Sequence, residues 1–316
     1  MADFDVFNGD ADGIISLLQL RMAEPREAAL ITGRKRDIKL LSRVDASKDD
    51  RVTVLDISMR SNADDLARIL EAGADVFYVD HHNAGDIPKY DKLQAIINTS
   101  PEICTALLVD RYLDGAYRAW AVAAAYGDGF PKVAARAANG HDLPLEALKE
   151  LGTLVNYNGY GASLEDLHIH PAELYEALYG YDTPMDFLAQ KPAVFEMLQA
   201  GYKADYHSAA QGRILHESDK GFVTELADSV ASRRISGVYG NDLAQAKPAR
   251  AHAILTRHQG GYVVSVRAPI TNRTGADTLC LQFETGGGRA AAAGINALPA
   301  DEVDSFITAF KAQFEA

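Results

Sequence analysis

Four clusters of aspartate and histidine stand just beyond apolar runs in the first part of the chain. They are Asn8-Gly9-Asp10-Ala11-Asp12-Gly13, Asp56 after Val54-Leu55, Asp80-His81-His82 after Val76-Phe77-Tyr78-Val79, and Asp128 within Gly127-Asp128-Gly129. Carboxylates gathered in one place repel one another, and a bound cation is the simplest remedy. Hard oxygen donors joined by an imidazole suit Mn²⁺ or Mg²⁺ better than Zn²⁺. Taken singly, each cluster has an ordinary structural explanation. Asp10 or Asp12 can cap the helix that follows, and Asp56 and Asp128 can be turn residues. Asp-His-His behind four apolar residues is the hardest to explain that way, and the order and spacing of all four carry the case.

The surrounding elements are those of an α/β protein. Short apolar runs at Phe4–Phe7, Ala28–Thr32, Val52–Asp56, Val76–Val79 and Ala95–Ile97 read as strands. Helical patterns follow at Ile14–Met22, Ala63–Glu71 and Cys104–Leu113. Such alternation implies a parallel sheet with helices on both faces. Ligands of open parallel sheets bind beyond the carboxyl ends of the strands, so at least three of the clusters are expected in one crevice. Residues 118–188 read as mainly helical. The expected division is a metal-binding domain over 1–190, a connecting helix within 191–220, and a smaller α/β domain over 221–316. In that last part Phe222–Leu226, Ile235–Tyr239, His252–Arg257 and Tyr262–Val266 read as strands, with Gly260-Gly261 as a hairpin turn. Gly286-Gly287-Gly288 reads as a turn ahead of an Ala-rich helix start, and Asp301–Phe314 as a closing amphipathic helix.

Charge narrows the partners. The net charge is −13. From Gly221 onward 9 Lys/Arg balance 9 Asp/Glu, so the whole excess lies in the first 220 residues. Long nucleic acid is bound through a basic footprint, which this composition lacks. A short oligonucleotide or another small phosphorylated substrate fits better. No run approaches the roughly 18 apolar residues of a membrane span, and the acidic start, Asp3 and Asp5, is unlike a signal peptide. The two cysteines, Cys104 and Cys280, read as buried thiols of a cytoplasmic protein. Oligomeric state stays open, a homodimer included.

The motifs Asp10-Ala11-Asp12-Gly13, Asp56, Asp80-His81-His82 and Asp128 resemble motifs one to four of the DHH phosphoesterase superfamily, which includes RecJ-type exonucleases, nanoRNases and exopolyphosphatases. Gly286-Gly287-Gly288-Arg289 followed by Ala292-Ala293-Gly294 is similar to the substrate-binding motif of the DHH-associated C-terminal domain. The resemblance spans nearly the whole chain. It implies a Mn²⁺- or Mg²⁺-dependent hydrolase with one or two ions. Asp56 would bridge two metals, Asp12, His81 and Asp128 would complete one site, and Asp10 would serve the other. His82 would contact the scissile phosphate or the attacking water, and Arg267 and the glycine motif would hold substrate.

Two positions depart from the pattern. Val6 stands where many relatives carry a histidine ligand, with Asn8 nearby as a weaker oxygen donor. Arg289 stands where a histidine usually follows the glycines, and its planar fork suits phosphate or the O6/N7 edge of guanine. The expected activity is hydrolysis of very short oligoribonucleotides, dinucleotides above all and guanine-containing ones among them, to mononucleotides. An exopolyphosphatase or bisphosphorylated-nucleotide phosphatase is the alternative, and a non-catalytic nucleotide-binding effector is a second. Four further groups of residues invite a reading: Arg273 as a phosphate contact, His168 and His170 as a second metal pair, Asn156–Tyr160 as a surface turn, and Arg233-Arg234 as a solvated pair.

Overall fold

A computed structural model describes residues 1–315. The chain divides into two compact units, Met1–Ala200 and a second from Gly201 onward.

In the first unit five parallel strands form one sheet. They are β1 (Asp3–Phe7), β2 (Ala29–Ile31), β3 (Arg51–Leu55), β4 (Asp75–Asp80) and β5 (Leu93–Ile97), in the order β2-β1-β3-β4-β5. Alternation along the strands loads both faces. Val6, Val52, Val54, Val76 and Tyr78 enter a core with Leu66, Ile69 and Leu70 of α2 (Ala63–Glu71). Phe7, Leu55 and Val79 are buried too, and their alternate positions in the strands place them on the opposite face, the side of α1 (Ala11–Ala23) and α3 (Thr105–Tyr112). The first helix is buried on every side from Ala11 to Arg21. It lies among α3, α4 (Arg118–Gly127), α6 (Leu145–Asn158) and α7 (Pro171–Tyr179). Two shorter helices, α5 (Pro131–Ala137) and α8 (Pro184–Gln190), complete this layer. Helices α4 and α6 come close enough that a Cβ at Gly152 would meet the Ala123 carbonyl oxygen at 1.9 Å.

One polar link ties α1 to the sheet. Arg21, 2% exposed, donates to both oxygens of Asp5 at 2.7 and 2.5 Å and to Thr53 Oγ1 at 2.9 Å. Removing one partner of a buried ion pair leaves an uncompensated charge, which costs about 3–5 kcal/mol. Arg21→Ala is therefore expected to lower unfolding free energy by about that amount in a denaturant melt. A loss under about 1 kcal/mol would show that water reaches Asp5 freely.

The units are joined through α9 (Ala193–Ala210). The connecting helix ends at Ala210, well short of the far bound of the expected 191–220 segment. At Gly212 an added Cβ would meet Thr224 Oγ1 at 2.8 Å, and β6 (Arg213–Glu217) has begun by the next residue. The second unit holds a six-stranded mixed sheet in the order β10-β11-β9-β8-β7-β6. Its other strands are β7 (Gly221–Leu226), β8 (Ala251–His258), β9 (Gly261–Arg267), β10 (Gly286–Arg289) and β11 (Ala292–Pro299). Strands β7 and β8 run parallel, linked by α10 (Val230–Ala246). Helices α11 (Ala276–Cys280) and α12 (Val303–Phe314) follow later, and Phe306 and Phe310 of α12 are buried in the core of this unit.

Three expectations are corrected here. Ile235–Tyr239 is not a strand but the middle of α10, whose start is capped by Ser229 Oγ on the Ser232 amide at 3.1 Å. Ile235, Val238 and Tyr239 are buried at helical spacing, a period that a short β-branched run conceals. The glycine run is strand, not turn: Gly287 pairs with Gly294 across an antiparallel ladder. The Ala-rich stretch that follows it, Ala292–Pro299, is strand β11 rather than a helix start. Arg234 is not a solvated residue; it forms a two-point pair with Asp205 at 2.7 and 3.0 Å.

Candidate metal centre

The sheet order places the chain reversal between β1 and β3, where doubly wound sheets open a crevice at the carboxyl ends of the strands. Asn8 and Asp10 follow β1, Asp56 follows β3, and His81 and His82 follow β4. Asp128 is the residue that ends α4. Asp56 adopts a left-handed backbone, φ 58°. Aspartate tolerates that region better than most residues, and such conformations gather at functional sites.

The acids and His81 converge. His81 Nε2 lies 3.8 Å from Asp12 Oδ2, 3.5 Å from Asp56 Oδ1 and 3.7 Å from Asp128 Oδ2. Those separations exceed ordinary hydrogen bonds. The other ring nitrogen of His81 lies 3.1 Å from the Ile103 carbonyl, which can only accept, so Nδ1–H donates there and Nε2 is the nitrogen turned toward the acids, the one placed to ligate a metal. The ligand atoms of Asp12, His81 and Asp128 lie within 4.8 Å of one another, as do those of Asp56, His81 and His82. Asp12 is held firmly: its two oxygens accept from the Thr105 and Ala106 amides at 2.7 and 2.8 Å, at the start of α3.

Electrostatics calls for a cation here. Burial, then the charges of Asp12, Asp10, Asp128 and Asp80, push the Asp56 carboxyl well above the ordinary range. Asp128 is raised by burial, against the opposing pull of Lys35. Asn8 is 6% exposed, lines the same small cavity as Asp56 and Asp128, and its Oδ1 has no partner. The carboxylates of Asp12, Asp56 and Asp128, one oriented imidazole and an unpartnered buried amide oxygen form a donor set that fits Mn²⁺ or Mg²⁺. His82 stands at the rim, 44% exposed, its Nδ1 2.7 Å from Asp80 Oδ1. Burial alone would lower its pKa, but the hydrogen bond and charge of Asp80, with Asp128 and Asp10, raise it.

One member of the site escaped sequence reasoning. Lys35 reaches Asp10 Oδ2 at 2.6 Å, Asp128 Oδ1 at 3.0 Å and Asn156 Oδ1 at 3.0 Å. The available signal was the basic run Arg34-Lys35-Arg36 just past β2, at the same edge of the sheet. Asn156 lies near the end of α6, and Tyr157 and Asn158 beside it are fully buried, so this stretch is helix rather than surface turn. Asp10 also caps α1, its Oδ1 accepting from the Asp12 and Gly13 amides at 3.0 and 3.1 Å. Lys35 and these amides outweigh burial and hold Asp10 below the usual carboxylate range. Val6 is fully buried in the apolar core and offers nothing to a metal.

The remaining sequence candidates lie elsewhere. His168 lies 2.8 Å from the Tyr157 hydroxyl, and His170 accepts the Ala172 amide at the start of α7, so both have structural partners. In the second unit Arg267 ends β9, with Nε donating to Asn241 Oδ1 at 2.8 Å and Nη1 to Ser265 Oγ at 2.9 Å. Arg289 ends β10 and is exposed. Gly286 approaches the Cys280 carbonyl so closely that a Cβ would sit 1.7 Å from it, whereas a Cβ at Gly287 would meet nothing. Arg273 lies in the exposed segment between β9 and α11.

No family model matches the chain, and no curated protein matches it. Solved structures do. A RecJ exonuclease bound to manganese aligns over 98% of this chain and 89% of its own, with 15% identity and a TM-score of 0.63. A DHH domain from a member of a family of ribosomal proteins aligns over 98% and 86%, with 13% identity and a TM-score of 0.62. A pGpG-specific phosphodiesterase, PggH from Vibrio cholerae, aligns over 99% and 100%, with 16% identity and a TM-score of 0.57. At these identities the likeness shows the fold alone, along 98–99% of this chain and 86–100% of the other three.

Proposed function

We propose that the protein is a Mn²⁺- or Mg²⁺-dependent phosphodiesterase that hydrolyses very short oligoribonucleotides, dinucleotides above all, to mononucleotides. The observation that carries this reading is the convergence of Asp12, Asp56 and Asp128 on Nε2 of His81. A divalent ion held there would polarise a phosphoryl oxygen and acidify a water. Asp56, Asp12, His81 and Asp128 would hold it, with Asn8 at the edge of the same cavity. His82, oriented by Asp80, would donate a hydrogen bond to the scissile phosphate or to the water. Arg267, Gly286, Gly287, Gly288 and Arg289 would bind the rest of the substrate. Open space at Gly287 supports close backbone approach to an anion. The pGpG specificity of PggH, a neighbour covered along its whole length, supports a dinucleotide substrate, and the arginine fork at 289 supports guanine within it.

The test is a Mn²⁺-supported hydrolysis panel: all sixteen diribonucleotides, a longer RNA, a bisphosphorylated nucleotide and polyphosphate. Dinucleotides, led by guanine-containing ones, are expected to be cleaved fastest. Arg289→Ala should raise KM for the best of them about tenfold, the loss of roughly one good base contact of 1–3 kcal/mol, while Mn²⁺ binding is unchanged. Cleavage of polyphosphate alone would replace this reading with a polyphosphatase. Nucleotide binding without any turnover would replace it with an effector protein.

A further inference from the structure

The metal centre contains a cation of its own. Lys35 is the one Lys or Arg side chain paired with Asp10 and Asp128 among the described residues, and an ammonium has three hydrogens to give. The ammonium donates to Asp128 Oδ1 and Asn156 Oδ1 at 3.0 Å each and forms an ion pair with Asp10 Oδ2 at 2.6 Å. Lys35 thus serves the protein's own carboxylates. Its chain is fixed as well. The Lys35 amide donates to the Gly159 carbonyl at 2.9 Å, and the ring of Tyr160 lies 5.6 Å from the ammonium.

The carboxylates divide accordingly. Asp10 has one oxygen on the amides that cap α1 and the other on Lys35. Asp128 turns Oδ1 to Lys35 and Oδ2 to His81, so it stands between the ammonium and the imidazole. The ligand atoms that face Nε2 of His81 belong to Asp12, Asp56 and Asp128, and Asp10 is not among them. Val6, in the preceding strand, is apolar and buried in the core. A second divalent ion on the Asp10 oxygen that does not cap α1 would have to displace the ammonium, which already lies 2.6 Å from that oxygen.

We propose that Lys35 permanently occupies the position of a second ion, so that this centre takes one divalent metal, held by Asp12, Asp56, His81 and Asp128, with Asp10 as the partner of Lys35 rather than a ligand. The proposal rests on the metal-dependent reading above and deepens it from one or two ions to one.

The test counts metal rather than turnover. Full-length protein is saturated with Mn²⁺ and desalted, and the bound metal is measured by mass spectrometry and by the EPR spectrum. Wild type is expected to hold one Mn²⁺ per chain, with the spectrum of an isolated ion. Two spin-coupled ions per chain would overturn the role of Lys35 and leave the phosphodiesterase reading standing. No bound metal would overturn the metal reading itself. Lys35→Ala is expected to take up a second Mn²⁺ between Asp10 and Asp128. A variant that still holds one, with unchanged thermal stability, would overturn the proposal. Because Lys35→Ala removes a half-buried charge and can unfold the protein, the pair Lys35→Met with Asp10→Asn is the second arm. It removes both charges together and should keep one Mn²⁺ with affinity within about threefold of wild type. Loss of that ion would make Asp10 a ligand and overturn the proposal.

Discussion

Asp56→Asn is expected to abolish hydrolysis while leaving the protein folded and, without metal, more stable than wild type. The substitution keeps the shape of the side chain and the tolerance of a left-handed backbone that φ 58° requires. It removes a charge that is buried and surrounded by Asp12, Asp10, Asp128 and Asp80. Relief of that repulsion should raise the metal-free Tm by roughly 2–4 °C for each kcal/mol gained. Wild type should instead gain stability from Mn²⁺, about 2.7 kcal/mol at a hundredfold excess over Kd, and the variant should gain nearly nothing. Turnover should fall by about three orders of magnitude or more, equivalent to about 4 kcal/mol of transition-state stabilisation. Calorimetric melts with and without Mn²⁺, run beside the hydrolysis assay, check both halves. Retained Mn²⁺ stabilisation in the variant would remove Asp56 from the centre. Asp12 is a poorer probe, because its carboxylate also holds the start of α3, and losing it would perturb fold and site together.

The second large effect belongs to His82. Its imidazole is 44% exposed and tied to the chain through Asp80, so His82→Ala should change stability by no more than about 0.5 kcal/mol. A positioned proton donor or acceptor typically contributes 10²–10⁴ in rate. The expected result is a fall in kcat of about that size, with KM and Mn²⁺ affinity near wild type. Asp80→Asn should reproduce part of the loss, because the amide leaves the ring less firmly oriented and less readily charged. His82 also lies close enough to Asp56 and His81 to ligate with them. A tenfold or greater loss of Mn²⁺ affinity in His82→Ala would make it a ligand and displace it from the role at the phosphate.

Much of this molecule is legible along the chain because local patterns were strong. Each of the five strands of the first sheet is a short apolar run ended by a polar residue or turn, and the helices after the first and third strands point to a parallel order. The acidic clusters stand out because charged residues follow directly on buried strands, and the chain reversal between β1 and β3 then brings their ends together. Sequence reasoning failed where two periods overlap or where glycine has more than one use. Ile235–Tyr239 carries two β-branched residues and a tyrosine in five positions, yet its burial follows a helical face. Gly286–Gly288 looks like a turn but forms a strand, where small residues admit a neighbouring carbonyl and a close antiparallel partner.

Residue types and spacing by themselves determined the α/β class, the chemistry of the donor set and the apolar character of position 6. Tertiary structure alone decided which oxygen of each carboxylate faces which partner. Asp10 can cap a helix or bind a metal on sequence grounds, and it is the placement of α1 and Lys35 that turns its two oxygens to other work. Lys35 lies 25 residues from Asp10 and 93 from Asp128, and no local pattern couples positions so far apart. Their meeting depends on the strand order of the sheet and on the end of α6, and charges separated that widely in sequence become one electrostatic unit only when the fold excludes the water between them.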